Sequence, residues 1–380
     1  MNKILFVSAA CPPGKAGSNI VMKHILDMLD RDFWRYITVR REEGTCDAEY
    51  ESRILRISSK MLRLGRFGFI PRLVDPCRYY FSAMKFAKKF KPTVVISVYP
   101  GLGFMILGVL LAKSLKIPYI PYMHDTIVES FSKRKYSWFV NLIQCYIFAN
   151  SSKIMVMSEG IAALYRKKYG IDAVAIEHIY PERIVDEVTP NAKRMQDAFW
   201  AGSVYSINDA AVRRVFEAVS QLGMSFTFTD RMSRASLSAL NIEGENLNIV
   251  SLPTRKDYLY FLAQRGIAIL ALNDTDESSM GNEELSTIFP TKTPEYLAAG
   301  LPILVHCPES YFIAKFFKEH KCGIVVSDKS ISAIMSAIKK LQSDTTEMAI
   351  IRHNAIMAAK LFTAGTVMKK FNLTIESCCE

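Results

Sequence analysis

The residues best suited to chemistry fall in one stretch, Phe289-Pro290-Thr291-Lys292-Thr293-Pro294-Glu295-Tyr296-Leu297-Ala298-Ala299-Gly300-Leu301-Pro302. It reads as a loop feeding a short helix whose first turn carries Thr291, Lys292, Thr293 and Glu295. Free N–H groups at a helix start bear positive partial charge and suit a phosphate. Lys292 adds a full charge, and Glu295, one turn on, can accept hydrogen bonds from a ribose diol. The same letters also read as a capped helix with an Ala-Ala-Gly tail, so both readings stand. His124-Asp125, after the strand-like run PYIPYM, is a second candidate; it reads as a functional pair or as a cap on the next segment. Asp274-Thr275-Asp276 follows IAILAL. Two carboxylates at that spacing suit a hard cation such as Mg or Mn. With Asn273 before it and Glu277 and two serines after it, a solvated turn is the expected reading.

The elements that must position these residues alternate. Short β-rich runs at 4–8, 93–98, 118–123, 154–157 and 174–178 are separated by amphipathic helical patterns at 18–30, 75–90, 102–116, 136–149 and 159–169. The alternation restarts with strands at 198–202, 225–229, 248–250, 267–272, 302–306 and 323–326. Its helices fall near 206–222, 255–264, 292–299, 310–319 and 330–341. This predicts parallel, doubly wound α/β sheets. The polar stretch from Pro181 to Lys193, holding Pro181 and Pro190, predicts a linker. The chain of 380 residues exceeds what one core usually supports, so two domains are expected. In such sheets ligands bind beyond the carboxyl ends of the strands, which is where the candidates lie.

Charge is uneven. Lys+Arg is 48 and Asp+Glu is 37, a net charge of +11. Residues 1–190 hold 28 basic and 17 acidic residues, and residues 191–380 hold 20 of each. The whole excess is therefore in the first half, which predicts an anionic partner for that half. The segment MLRLGRFGFIPRLVDPCRYYFSAMKFAKKFKP interleaves Arg63, Arg66, Arg72, Arg78, Lys85, Lys88 and Lys89 with rings such as Phe67 and Phe69. Cations among aromatics suit an anionic membrane surface; a helix with a solvated basic face is the alternative. Ser132 to Trp138 is a smaller patch of the same kind. No base-reading module is visible, so nucleic acid is not expected as a partner.

The 21 uncharged residues between Lys91 and Lys113 approach the length of a membrane span. Pro100-Gly101 and Gly103 break the run, so a strand, a turn and a buried helix are expected instead. The opening ILFVSAA is short for a signal peptide and is expected to be a buried strand. The eight cysteines form no C-x-x-C pair and read as free thiols in a reducing cytosol.

The Phe289–Pro302 segment resembles the donor-binding signature of family 4 glycosyltransferases, P-[ST]-K-x-x-E-Y-x-A-x-G-x-P. LLAKSLKIPYIPYMHD, IMVMSEGIAALYRKKYGI, VAIEHIYPE and PPGKAGSN resemble further segments of that family, in the same order. The resemblance implies the GT-B fold, two Rossmann-like domains facing an interdomain cleft. The acceptor domain would be 1–182 and the donor domain 194–361, with a C-terminal helix at about 362–380 packing back on the first. It implies retaining transfer from a nucleotide diphosphate sugar, a hexosyltransferase-type activity. His124, Lys292 and Glu295 would be the catalytic set. Gly17, Gly202, Ser203, Arg255, Thr291, Lys292, Thr293 and Glu295 would meet the donor. Glu295 would bind the ribose and Lys292 the diphosphate. No cofactor and no metal is implied. With the basic patch, it points to a glycolipid or polyprenyl-diphosphate-linked acceptor in polysaccharide, lipopolysaccharide or capsule assembly. The protein would sit in the cytoplasm, peripheral on the inner face of the plasma membrane.

The chain departs from the family pattern twice. A family Glu eight positions before Glu295 is Thr287 here, with Glu283 and Glu284 further upstream. The family's Arg and Lys after the first strand of the second domain are absent, Ser203 and Asn208 standing there. Arg255 or Lys256 would have to replace one of them. A catalytically weak binding subunit and a nucleotide-sugar epimerase on the same fold are the rival readings.

Overall fold

The computed structural model describes residues 2–10, 12, 17–39, 48–57, 75–131, 137–180, 194–229, 232–343 and 346–379. The expected linker, Arg63, Arg66, Phe67, Phe69 and Arg72, and most of the 132–138 patch lie outside the described residues. The chain forms two units. The first comprises Met1–Ile179 with Ala364–Glu380, and the second Tyr180–Thr363.

Unit 1 runs β1 (Ile4–Ser8), α1 (Gly17–Met28), β2 (Trp34–Val39), α2 (Ala48–Ser52), β3 (Ile54–Ile57), α3 (Tyr80–Phe90), β4 (Val94–Tyr99), α4 (Leu102–Leu115), β5 (Tyr119–Met123), α5 (Ser137–Ala149), β6 (Met155–Val156), α6 (Glu159–Tyr169) and β7 (Val174–Ala175). Its parallel sheet has the order β3-β2-β1-β4-β5-β6-β7. The uncharged run between Lys91 and Lys113 is β4 and α4. A Cβ on Gly108 of α4 would stand 1.8 Å from Ser97 Oγ of β4, so the helix lies directly on the strand. No helix among the described residues is long and apolar enough to cross a membrane. Local signals set the ends of α6: Ser158 Oγ accepts the Ile161 N–H, and Gly170 closes the helix at φ +66°.

Unit 2 runs β8 (Asp197–Trp200), α7 (Asp209–Gln221), β9 (Ser225–Thr229), α8 (Arg234–Ser238), β10 (Leu247–Val250), α9 (Arg255–Ala263), β11 (Ile267–Ala271), α10 (Asn282–Thr287), α11 (Thr293–Ala298), β12 (Ile303–His306), α12 (Phe312–His320), β13 (Ile324–Val326), α13 (Ile331–Gln342) and α14 (Thr346–Ala359). The sheet order is β10-β9-β8-β11-β12-β13, again parallel. One apolar cluster is built around Phe199, Tyr296 and Phe317, another around Trp200, Phe226 and Ile338. The last helix, α15 (Ala364–Cys379), returns to unit 1. There Val367, Phe371 and Ile375 enter the core, and Lys370 pairs with Glu177 at 3.1 Å.

In both sheets the strand order reverses beside the first strand, between β1 and β4 and between β8 and β11. Loops leaving the carboxyl ends there diverge to opposite faces and open a crevice for a ligand.

The sequence reading lacks β2 and β3. Arg35 and Arg56 interrupt their apolar runs, and β3 is four residues at the sheet edge. It also lacks α14, whose exposed Ile350, Ile356 and Met357 blur any polar face.

Candidate functional site

The site residues of unit 2 gather at the carboxyl end of β8. The backbone turns after Trp200 through Ala201 and Gly202, the latter at φ +112°. Glycine alone adopts that region at little cost. Thr229 Oγ1, at the end of β9, accepts the Gly202 N–H at 3.2 Å, and Tyr296 Oη accepts the Ala201 N–H at 3.3 Å. Asn273, fully buried after β11, pins the following loop. It accepts from the Ala211 N–H, donates its side-chain N–H to the Ser206 carbonyl, and donates its backbone N–H to the Ile207 carbonyl.

Lys292 reaches into this turn. Its ammonium donates to the Ala201 carbonyl and lies 3.8 Å from the centre of the Trp200 ring. A Cβ on Gly202 would stand 3.3 Å from Lys292 Nζ. The missing side chain therefore leaves the cation open on one side. Burial pushes the Lys292 ammonium down to about 7, with Glu295 acting the other way. An anion placed beside it would restore the full positive charge.

Lys292 is the N-cap residue of α11, which has only six residues and no side-chain cap. The helix stops because Gly300 turns left-handed at φ +59°. So short a helix has little dipole to offer. The positive charge at this point is that of Lys292, and the capped-helix reading is not met. Thr293 Oγ1 is buried with no hydrogen-bond partner among the described residues.

Glu295 is buried, and Arg255 Nη1 meets its Oε1 at 2.7 Å. Arg255 comes from the first turn of α9, whose start is fixed by a Thr254–Asp257 capping box. Burial and the neighbouring Glu295 carboxylate both raise the Tyr258 hydroxyl. Arg255, Lys292 and Glu295 thus form one compact charged group beside the Gly202 turn. Ser203 is exposed just beyond it. Where the family carries a cation, Asn208 instead accepts the Tyr205 N–H with its side chain. Thr287 donates its hydroxyl to the Glu284 carbonyl.

The Asp274-Thr275-Asp276 turn is an ion-pair network. Lys329 lies 3.2 Å from both aspartates and 3.6 Å from Glu277. Arg214 clasps Glu277 through both terminal nitrogens, at 2.5 and 3.1 Å, and its Nε lies 3.1 Å from His306 Nε2. Burial opposes ionisation of Glu277, but Arg214, the Asp274 N–H and Lys329 hold it down at about 2. These carboxylates have fixed cation partners in the protein itself.

In unit 1, His124 follows β5 and is 92 % buried, its N–H donating to the Tyr99 carbonyl. Both its ring nitrogens lack a partner among the described residues. Burial, with His178 nearby, lowers its pKa to about 3, so the imidazole is neutral. Gly17 is the exposed first residue of α1. Among the membrane candidates, Arg78, Lys85, Lys88 and Lys89 are exposed on and beside α3.

Sequence reasoning missed Trp200, Thr229, Tyr258 and Asn273 as builders of this site. Asn273 alone carried a signal, a polar residue directly behind an apolar strand.

Residues 17–181, nearly all of the larger segment of unit 1, match the family model described as Glycosyltransferase Family 4. The match covers less than half of the chain and lies on the side of His124 and Gly17. No curated protein matches its sequence. Among solved structures, sucrose-phosphate synthase from Thermosynechococcus elongatus superposes on this chain with TM-score 0.71, at 12% identity over 99% of both chains. HepE from Anabaena, in complex with UDP and glucose, gives 0.68 at 14% identity over 99% of this chain and 100% of that one. A glycosyltransferase from Rickettsia africae gives 0.63 at 15% identity over the whole of both. These likenesses identify the fold of the chain as GT-B.

Proposed function

We propose that the chain is a glycosyltransferase that takes a sugar from a nucleotide diphosphate donor held on unit 2 and passes it, with retention, to a lipid-linked or polysaccharide acceptor. The observation that carries this reading is the Lys292 ammonium, open on the Gly202 side and grouped with Arg255 and Glu295. A diphosphate there meets one cation from α11 and a second from α9. Both supply charge where the departing diphosphate needs it, Arg255 in place of one of the two absent family residues. Catalysis rests on positioning and on stabilising that leaving group while the sugar gains oxocarbenium character. Glu295 accepts from the ribose hydroxyls. Neutral His124 offers one donor and one acceptor to sugar hydroxyls. No step is assigned to a metal or a cofactor.

The acceptor reading is supported by unit 1. On α3, Phe81 is 83 % exposed and shares a face with Lys85 and Lys88 at i+4 and i+7. On α5, Trp138, Leu142 and Tyr146 form an exposed stripe at i, i+4 and i+8. Rings beside lysines suit the headgroup layer of an anionic membrane on the cytoplasmic side.

A panel of nucleotide diphosphate sugars tests the donor reading. A true donor stabilises the native state and raises the melting temperature. It should release its nucleotide on turnover, and Lys292→Met should abolish both effects. Binding without turnover under any acceptor condition would instead favour a catalytically weak binding subunit, the reading that the absent cations at 203 and 208 support.

A further inference from the structure

Lys292 and Tyr296, one helical turn apart, both reach the end of β8. Successive residues of a strand face opposite sides of the sheet, and Phe199 and Trp200 accordingly join different apolar clusters. Tyr296 packs edge-on against Phe199, with centroids 5.3 Å apart, and its hydroxyl accepts the Ala201 N–H at 3.3 Å. Lys292 goes to the other ring. Its ammonium donates to the Ala201 carbonyl and lies 3.8 Å from the centre of the Trp200 ring. Trp200 is buried and pairs with Phe228 in the sheet. Its indole N–H has no hydrogen-bond partner among the described residues, so packing sets the ring.

Both partners of the Lys292 ammonium are neutral, and it makes no ion pair among the described residues. The Glu295 carboxylate acts on its charge but is taken by Arg255 at 2.7 Å. Arg214 takes Glu277 in the same way. An ammonium on a flexible four-carbon stem needs a partner to stay in one place. A carboxylate would hold it and cancel its charge. An indole face attracts a cation through its quadrupole, more strongly than other rings and most strongly away from water. It carries no net charge to repel a phosphate. On the Gly202 side no side chain intervenes, since a Cβ there would stand 3.3 Å from Nζ.

We propose that Trp200 is a positioning residue whose ring face holds the Lys292 ammonium at the Gly202 turn in place of a carboxylate, leaving its charge for the donor diphosphate. The proposal rests on the reading of Lys292 as the cation that meets the diphosphate. It adds the group that keeps it there.

Two measurements test it on the wild type, Lys292→Met, Trp200→Phe, Trp200→Met and the double variant of Lys292→Met with Trp200→Met. Urea midpoints confirm that each is folded. Trp200→Phe keeps an aromatic face, and Trp200→Met offers an apolar chain without one. In calorimetry with UDP, Trp200→Met should lose about tenfold in affinity and Trp200→Phe no more than about threefold. In the Lys292→Met background, Trp200→Met should change affinity less than about twofold, because residues acting through one group are not additive. The second measurement uses protein labelled with ¹³C at lysine Cε, the Lys292 signal being the one absent in Lys292→Met. The ring current should place its protons upfield of the exposed lysines in the wild type and return them to that group in Trp200→Met. A wild-type Lys292 signal among the exposed lysines, equal losses in Trp200→Phe and Trp200→Met, or multiplying losses in the double variant overturns the proposal. UDP affinity in Lys292→Met equal to that of the wild type overturns the donor reading of Lys292 instead, and the lysine spectrum still decides the positioning.

Discussion

Replacing Arg255 by Met isolates the interaction that organises the unit 2 site. The Arg255–Glu295 contact is 2.7 Å, with the Glu295 side chain 5 % exposed and that of Arg255 32 %. At an effective dielectric constant of ~20 the gross attraction is about 6 kcal/mol. Arg255 keeps a third of its solvation, so water screens part of this. Its removal nevertheless strands a buried carboxylate, which in fully buried pairs costs about 3–5 kcal/mol. Lys292 remains close enough to compensate in part. A net loss of about 2–3 kcal/mol is expected for Arg255→Met. Adding Glu295→Gln removes the stranded charge, so the double variant should recover about 1–2 kcal/mol. Urea unfolding followed by circular dichroism on the wild type, both single variants and the double variant gives the coupling directly. A single-variant loss below about 0.5 kcal/mol, or purely additive losses, would refute the reasoning.

Other expectations follow from neighbouring residues. Gly202→Ala places a Cβ at φ +112° and 3.3 Å from the Lys292 ammonium. It should cost about 1–3 kcal/mol in backbone strain and weaken donor binding at least tenfold by calorimetry. Burial holds His124 at about 3 and His306 at about 4, both below the ordinary 6.5. The unfolded chain therefore takes up protons first, and stability complete above pH 6.5 falls as pH drops toward 4. The slope is about 1.4 kcal/mol per pH unit for each histidine; His306→Gln should roughly halve it in urea titrations between pH 6.5 and 5. Exchanging Lys85, Lys88 and Lys89 for Glu should abolish sedimentation with vesicles containing phosphatidylglycerol and leave UDP release from UDP-glucose unchanged. Equal sedimentation of this variant and the wild type would remove the basic face of α3 from the membrane reading.

The parallel architecture was legible because buried central strands write themselves as apolar runs: ILFVS is β1 as it stands, and IAILAL contains β11. Edge strands do not. Arg56 in ILRI points to a half-solvated environment that no run of letters distinguishes from a loop. Lys292 and Glu295 were legible because a dense local motif names them. Their partners were not, because they are set by strand crossovers. Ala201 is 91 residues from Lys292, and Arg255 is 40 from Glu295. The short α11 was legible near 292–299 for a local reason. Threonine, proline and glutamate all favour a helix start, and Gly300, left-handed in the structure, marks the end. His124 was picked from its place after a strand, whereas its buried neighbour His178 arrives from beyond β7. The Asp274-Thr275-Asp276 turn needed Lys329 and Arg214 from other elements before its ion pairs were visible.

The central claim is that Lys292 holds the donor diphosphate on unit 2. Calorimetric titration of UDP and UDP-glucose into the wild type and Lys292→Met tests it most directly, with urea midpoints confirming that both are folded. The account predicts that both ligands bind the wild type and lose at least tenfold in affinity, about 1.4 kcal/mol, in Lys292→Met. Equal affinities for the two proteins would contradict it.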